Sequence, residues 1–193
     1  MEILVIIGLT MFAYLLGSVS TAIITCKVMG LPDPRAEGSH NPGATNVYQI
    51  AGRKAAIITL LGDLLKGFIP VLIARVLGLD ELVLAGVAMA AFMGHLYPIF
   101  YRFHGGKGVA TAFGIILGIN AWVALAMLLT WLLVYTTFKL SSLAALLTAF
   151  LTPLYFYFID DASVYSGMAI VITVFIFYSH RSNIVKIIDG TED

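Results

Sequence analysis

Apolar runs long enough to cross a bilayer recur along this chain, with only short polar segments between them. A crossing helix needs about 20 mostly apolar residues. Such runs occupy 3–28, 55–77, 82–101 and 162–179, the second interrupted by Asp63, Lys66 and Pro70. The stretch 109–138 would reach about 45 Å as one helix at 1.5 Å per residue, more than one crossing requires. Gly118-Ile119-Asn120 offers a break within it, leaving a half-length helix at 109–118 and a fuller one at 121–138. A further run fills 143–159. The expected fold class is therefore all-α, a polytopic integral membrane protein of about seven membrane helices, with five as the alternative. Residues 1–193 read as a single membrane-embedded domain.

Composition agrees. Hydrophobic residues make up 60% of the chain and charged residues 11%, against about 25% charged in soluble domains. The formal net charge of zero argues against a general nucleic-acid binder. The one cysteine, Cys26, excludes an intrachain disulfide framework and reads as a small buried hydrophobe. Glu2 stands where a signal peptide would carry Lys or Arg, so the first run reads as a retained span.

Basic residues flank cytoplasmic ends of membrane helices. On this map Lys27, Arg35, Arg53, Lys54, Arg102, Lys107, Lys139, Arg181 and Lys186 share one side. Glu2, Asp80, Glu81, Asp160 and Asp161 take the other, with Arg75 as the basic residue among them. The amino terminus is expected outside and the carboxyl terminus inside.

Two polar segments return to the basic side. In 33–46, Gly38 and Gly43 permit turns, Ser39, Asn41, Thr45 and Asn46 offer short polar groups, and Arg35 offers a guanidinium fork suited to phosphate. An ordinary loop of turn residues and helix caps is the equally open reading. In 94–111, Gly105, Gly106 and Gly108 surround Lys107 just before an apolar run. Backbone N–H groups, a helix amino terminus and a lysine together suit an anion. The segment lacks Walker A spacing and can also be a flexible turn. His95 reads either as a structural hydrogen bonder or as a proton-transferring or orienting group. Asp63 and Lys66, three apart on one helical face, form either a structural ion pair or part of a pocket. Ser141-Ser142 and His180–Lys186 return to the same side, as helix caps or anchors on their own showing. No residue cluster has metal-ligand spacing, so no metal is expected.

Together these segments resemble the bacterial acyl-phosphate:glycerol-3-phosphate acyltransferase family. The resemblance rests on Gly17-Ser18, Asp33-x-Arg35-x-x-Gly38-Ser39-x-Asn41-Pro-Gly-Ala-Thr-Asn46, Asp63-x-x-Lys66-Gly67, Gly94-His95-x-x-Pro98-x-Phe100 and Gly105-Gly-Lys-Gly-Val-Ala-Thr111. Ser141-Ser142, His180-Arg181-x-Asn183-Ile184, Gly190 and Glu192 complete it, in the family's order over nearly the whole chain. Two positions depart: His40 replaces the glycine usual after Ser39, and Gln49 stands where arginine is common, so Arg53 or Arg35 is left to supply that charge.

The resemblance implies acyl transfer from acyl phosphate to the 1-hydroxyl of glycerol 3-phosphate, giving lysophosphatidic acid and inorganic phosphate. It implies a multi-pass protein of the bacterial cytoplasmic (inner) membrane, with its active site facing the cytoplasm and its acyl chain in contact with membrane lipid. No cofactor is implied, nor acyl carrier protein or coenzyme A as direct donor. It implies His95, Ser39 and Asn41 as catalytic residues. Substrate binding falls to Arg35, Thr45, Asn46, Gly105, Gly106, Lys107, Gly108, Ser142, His180 and Asn183. The rival reading is a small transporter of a phosphorylated solute, with Asp63, Lys66 and the break at 118–120 at a midplane site.

Overall fold

The computed structural model describes residues 2–161 and 163–192; Ala162, where the last run was expected to begin, lies outside the described residues. Among the described residues all regular structure is helical. The helices are α1 (Glu2–Gly17), α2 (Thr21–Val28), α3 (Ala44–Ala51), α4 (Arg53–Val76), α5 (Glu81–Leu96), α6 (Val109–Ile119), α7 (Ala121–Phe138), α8 (Ser141–Tyr155), α9 (Ser163–Ser179) and α10 (Arg181–Ile188). A 3-10 turn at Ile99–Tyr101 follows α5, and a π-helical turn at Phe156–Asp160 follows α8.

Four helical stretches among the described residues are long and apolar enough to cross a membrane: Arg53–Val76, Glu81–Tyr101, Ala121–Phe138 and Ser141–Asp160. Two bent pairs raise the number to six, α1 with α2 at 47° and α9 with α10 at 64°. The seven membrane helices expected are these six regions and a half-length helix at 109–118, with 3–28 expected as one helix. Instead Ser20 starts a new helix, its hydroxyl accepting from the Ile23 N–H. At eleven residues α6 is about 16 Å long, half a bilayer core. Asn120 does open α7 as expected, its side chain accepting from the Trp122 and Val123 N–H groups.

The chain divides into two compact units, the first ending at Gly118 and the second starting at Ile119. In the first, α1 packs along α5, and α4 touches α1, α2, α3 and α5. The α1–α5 contact is close because two glycines face carbonyls: a Cβ on Gly17 would run into the Ala91 oxygen, and one on Gly94 into that of Tyr14. In the second, α8 lies against both α7 and α9, and α10 touches α8 and α9. Large apolar side chains remain on the outside, among them Ile3, Leu61, Trp122, Leu133 and Phe158. Water would penalise that surface, and lipid would not.

Candidate active site

The polar centre of the first unit begins inside α4. Asp63 and Lys66 are 3% and 5% exposed and pair at 2.8 Å. Lys66 Nζ also donates to the Val19 carbonyl at 2.9 Å. Val19 lies in the break between α1 and α2, where helix ends leave carbonyls without an intrahelical partner. The break therefore supplies what a charge at membrane depth requires, a polar partner.

His95 sits in the last turn of α5, buried, with Nδ1 3.8 Å from Asp63 Oδ1. That distance is beyond hydrogen-bonding reach, and among the described residues Nδ1 has no hydrogen-bond partner. After the 3-10 turn the glycine loop folds back over the histidine. The Phe103 N–H donates to the Pro98 carbonyl at 3.0 Å and the Gly106 N–H to the His95 carbonyl at 3.2 Å. The α-carbon of Gly105 lies against the His95 and Leu96 carbonyls, and that of Gly106 against the imidazole Nε2. Any side chain at either position would displace the loop or the ring. Gly108, at φ +87°, turns the chain into α6, with Lys107 half-buried beside it.

These elements line a narrow, partly open pocket of about 10 Å³, walled by Ser18, Ser20, Lys66, His95, Gly105 and Gly106. The pocket suits one polar group rather than a whole substrate. Pro42 also lines it, which ties the 33–46 loop to the glycine loop.

In the 33–46 loop the guanidinium of Arg35 grips Asp33, Nη2 to Oδ2 at 2.6 Å and Nε to Oδ1 at 3.0 Å, both side chains nearly half exposed. The hydrogen bond from Arg35 holds the Asp33 carboxyl below its ordinary range, and the same contact raises Arg35. Asn46 is buried and committed to the loop's own backbone. Its Nδ2 donates to the Pro34 and Glu37 carbonyls at 2.8 and 3.1 Å, and its Oδ1 accepts from the Ser39 N–H at 2.8 Å. The structure thus gives Asn46 a bracing position beneath the loop. Ser39 and Thr45 are exposed and Asn41 is half-buried. His40 adopts φ 59°, the left-handed region that glycine favours, which accounts for the glycine usual there. Its ring Nδ1 lies 3.2 Å from the Arg35 carbonyl. Gln49 is exposed on α3.

In the second unit Ser142 is buried in the first turn of α8, its hydroxyl without a hydrogen-bond partner among the described residues. His180 is buried at the start of α10, with Nδ1 2.8 Å from the Ile176 carbonyl. Asn183 donates to Glu192 at 2.6 Å. Of the residues expected in a site, His95, Gly105 and Gly106 meet at the pocket, and Lys66 joins them there. Ser20 and the Val19 carbonyl were missed because they lie inside an apolar run. The signal was Ser18-x-Ser20, two serines where a straight span has no use for them.

An apolar helical bundle with a buried cation, an imidazole and a glycine loop at a small pocket has the make-up of a membrane protein with a polar site at its centre. The chain matches the model of the glycerol-3-phosphate acyltransferase family over residues 7–190, and it belongs to that family. It is 55% identical to the glycerol-3-phosphate acyltransferase of Thioalkalivibrio sulfidiphilus, over 96% of this chain and 91% of that protein. With the enzyme of the same name from Ruthia magnifica it shares 49% identity, over 98% and 96%. Two crystal structures of PlsY, an integral membrane glycerol 3-phosphate acyltransferase, superpose closely. The glycerol 3-phosphate form has a TM-score of 0.93 at 40% identity, covering 97% of this chain and 94% of that one. The lysophosphatidic acid form has 0.91 at 39%, with the same coverage. This chain is thus a membrane-integral acyltransferase of phospholipid synthesis.

Proposed function

We propose that the chain transfers a fatty acyl group from acyl phosphate to the 1-hydroxyl of glycerol 3-phosphate. The products are lysophosphatidic acid and inorganic phosphate, the first acylation of bacterial phospholipid synthesis. The observation that carries this reading is His95 held against Gly105-Gly106 beside Lys107, opposite the buried Lys66. Acyl phosphate arrives activated, so the hydroxyl oxygen attacks the carbonyl carbon directly. The new ester C–O bond forms, the bond between carbonyl carbon and phosphate oxygen breaks, and phosphate leaves with that electron pair. The hydroxyl proton passes to a substrate phosphate oxygen while His95 orients the reactants. Against a general base, the imidazole lacks the carboxylate hydrogen bond that usually orients one, Asp63 being 3.8 Å away. Positioning alone contributes about 7–11 kcal/mol in favourable cases.

In this proposal Ser39 and Asn41 act with His95 at the reacting groups, Arg35, Thr45, Lys107, Gly108 and the glycine-loop amides hold phosphate, and Asn46 keeps the 33–46 loop in shape. Ser142, His180 and Asn183 contribute glycerol 3-phosphate contacts. The family match runs across both units, which supports reading 1–193 as one acyltransferase domain. The amino terminus lies outside, the carboxyl terminus inside, and the site faces the cytoplasm of the bacterial inner membrane. The transporter reading is set aside, since the relatives matched over almost their full length are acyltransferases.

The test is turnover by detergent-purified protein with acyl phosphate and labelled glycerol 3-phosphate. One phosphate released per lysophosphatidic acid formed, with no sealed compartment, is the expected result. Product formed from acyl-coenzyme A but not from acyl phosphate would refute the donor.

A further inference from the structure

The Asp63–Lys66 pair is polarised with respect to the pocket. Lys66 is in the wall beside Ser20, His95 and Gly106, whereas Asp63 is not among the lining residues. The cationic end of the pair thus meets the cavity and the anionic end stands behind it. An ammonium has three N–H donors. The acceptors it meets among the described residues are Asp63 at 2.8 Å and the Val19 carbonyl at 2.9 Å. That leaves one N–H for a third acceptor. Ser20 stands close by, its oxygen accepting a long 3.5 Å bond from Ile23 and its O–H available to donate. Stability alone is a poor reason for the pair, since apolar replacements of buried ion pairs are often neutral or stabilising.

We infer that Lys66 is a further substrate-contacting residue, whose ammonium binds an anionic phosphoryl oxygen in the pocket with Ser20 and His95. This rests on the acyl-phosphate reading above. The phosphoryl group belongs either to the acyl donor or to glycerol 3-phosphate.

Removing Lys66 alone would strand a buried carboxylate, so the test uses the neutral pair Asp63→Asn/Lys66→Met. The detergent-purified variant is assayed for thermal stability and for steady-state kinetics with each substrate varied in turn. The expected result is a melting temperature near that of wild type with kcat/KM lowered about 10- to 100-fold, the loss of one charged hydrogen bond. A raised KM for acyl phosphate assigns the oxygen to the donor, and a raised KM for glycerol 3-phosphate assigns it to the acceptor. Wild-type kcat/KM for both substrates in the folded double variant overturns the inference, because Lys66 would then be structural. If the double variant does not fold, Lys66→Arg decides. A changed KM for one substrate at an unchanged melting temperature supports the contact, and unchanged KM values for both refute it. Wild-type protein that rejects acyl phosphate but uses acyl-coenzyme A refutes the donor alone, and the glycerol 3-phosphate arm still decides on Lys66.

Discussion

Gly106 has no room for a side chain, because the His95 imidazole occupies the space where its Cβ would be. Gly106→Ala therefore pushes on the ring, not on the helices. Activity should fall by about 10²-fold, the usual effect of misplacing a reacting group by around 1 Å, while the melting temperature stays near that of wild type. A fully active Gly106→Ala enzyme would mean that the ring's position is unimportant to the reaction. His95 itself can be separated into base or orienter by kinetics. As an orienter, His95→Gln should raise KM and leave the pH dependence of kcat unchanged. Loss of the rising limb of kcat against pH, with KM unaltered, would make the imidazole the base instead. The sequence made these two residues legible because glycines beside a histidine and a lysine form an unusual local pattern. It could not show that Asn46 lies beneath the loop. An asparagine's four hydrogen-bonding sites look alike in sequence whether they face backbone or ligand.

At the level of elements, long apolar helices and the break at 118–120 were readable from length and hydropathy, and the interruption within 3–28 was not. The 47° bend between α1 and α2 follows from Ser20 capping a new helix, and hydropathy averaged over 3–28 conceals it. Helix α3 was hidden in a segment read as loop, between Gly43 and Gly52, because eight residues give too short a pattern to recognise. Packing of α1 on α5 was equally silent in sequence, yet it rests on two glycines. Gly17→Ala should lower the melting temperature in detergent by several degrees, since its Cβ meets the Ala91 backbone, which cannot rotate away. The controls are Gly8→Ala and Gly86→Ala, helical glycines with nothing within 4 Å of an added Cβ. These should be neutral or stabilising by about 0.5–1 kcal/mol, the gain of Ala over Gly in a helix interior. Equal effects at Gly17 and Gly8 would show that close packing there contributes little.

For the whole molecule the open quantity is topology, and charge is the argument for it. Nine of the eleven basic residues fall on one side of the proposed map, with Arg75 opposite and Lys66 within α4. Anionic lipid and the insertion machinery both favour placing such a side in the cytoplasm. The map depends on the break at 118–120, which makes α6 and α7 an outward and a returning arm rather than one passage. At about 16 Å α6 reaches roughly half the hydrocarbon core, so α7 can run outward to inward only if α6 has carried the chain back towards the outside with help from the bilayer's interfacial zone or from neighbouring helices. Single cysteines in a Cys26→Ala background test this with a membrane-impermeant thiol reagent. Cys26 is buried on α2, so its loss removes background without opening the surface. His40→Cys, His104→Cys, Leu140→Cys and Ser182→Cys should be protected in intact cells and labelled after permeabilisation. Glu81→Cys and Asp161→Cys should be labelled from outside. Labelling of position 140 from outside, with 104 still protected, would make 109–138 a single passage. Lys139 and Ser142 would then leave the cytoplasmic side, and with them the proposed role of Ser142 in holding glycerol 3-phosphate.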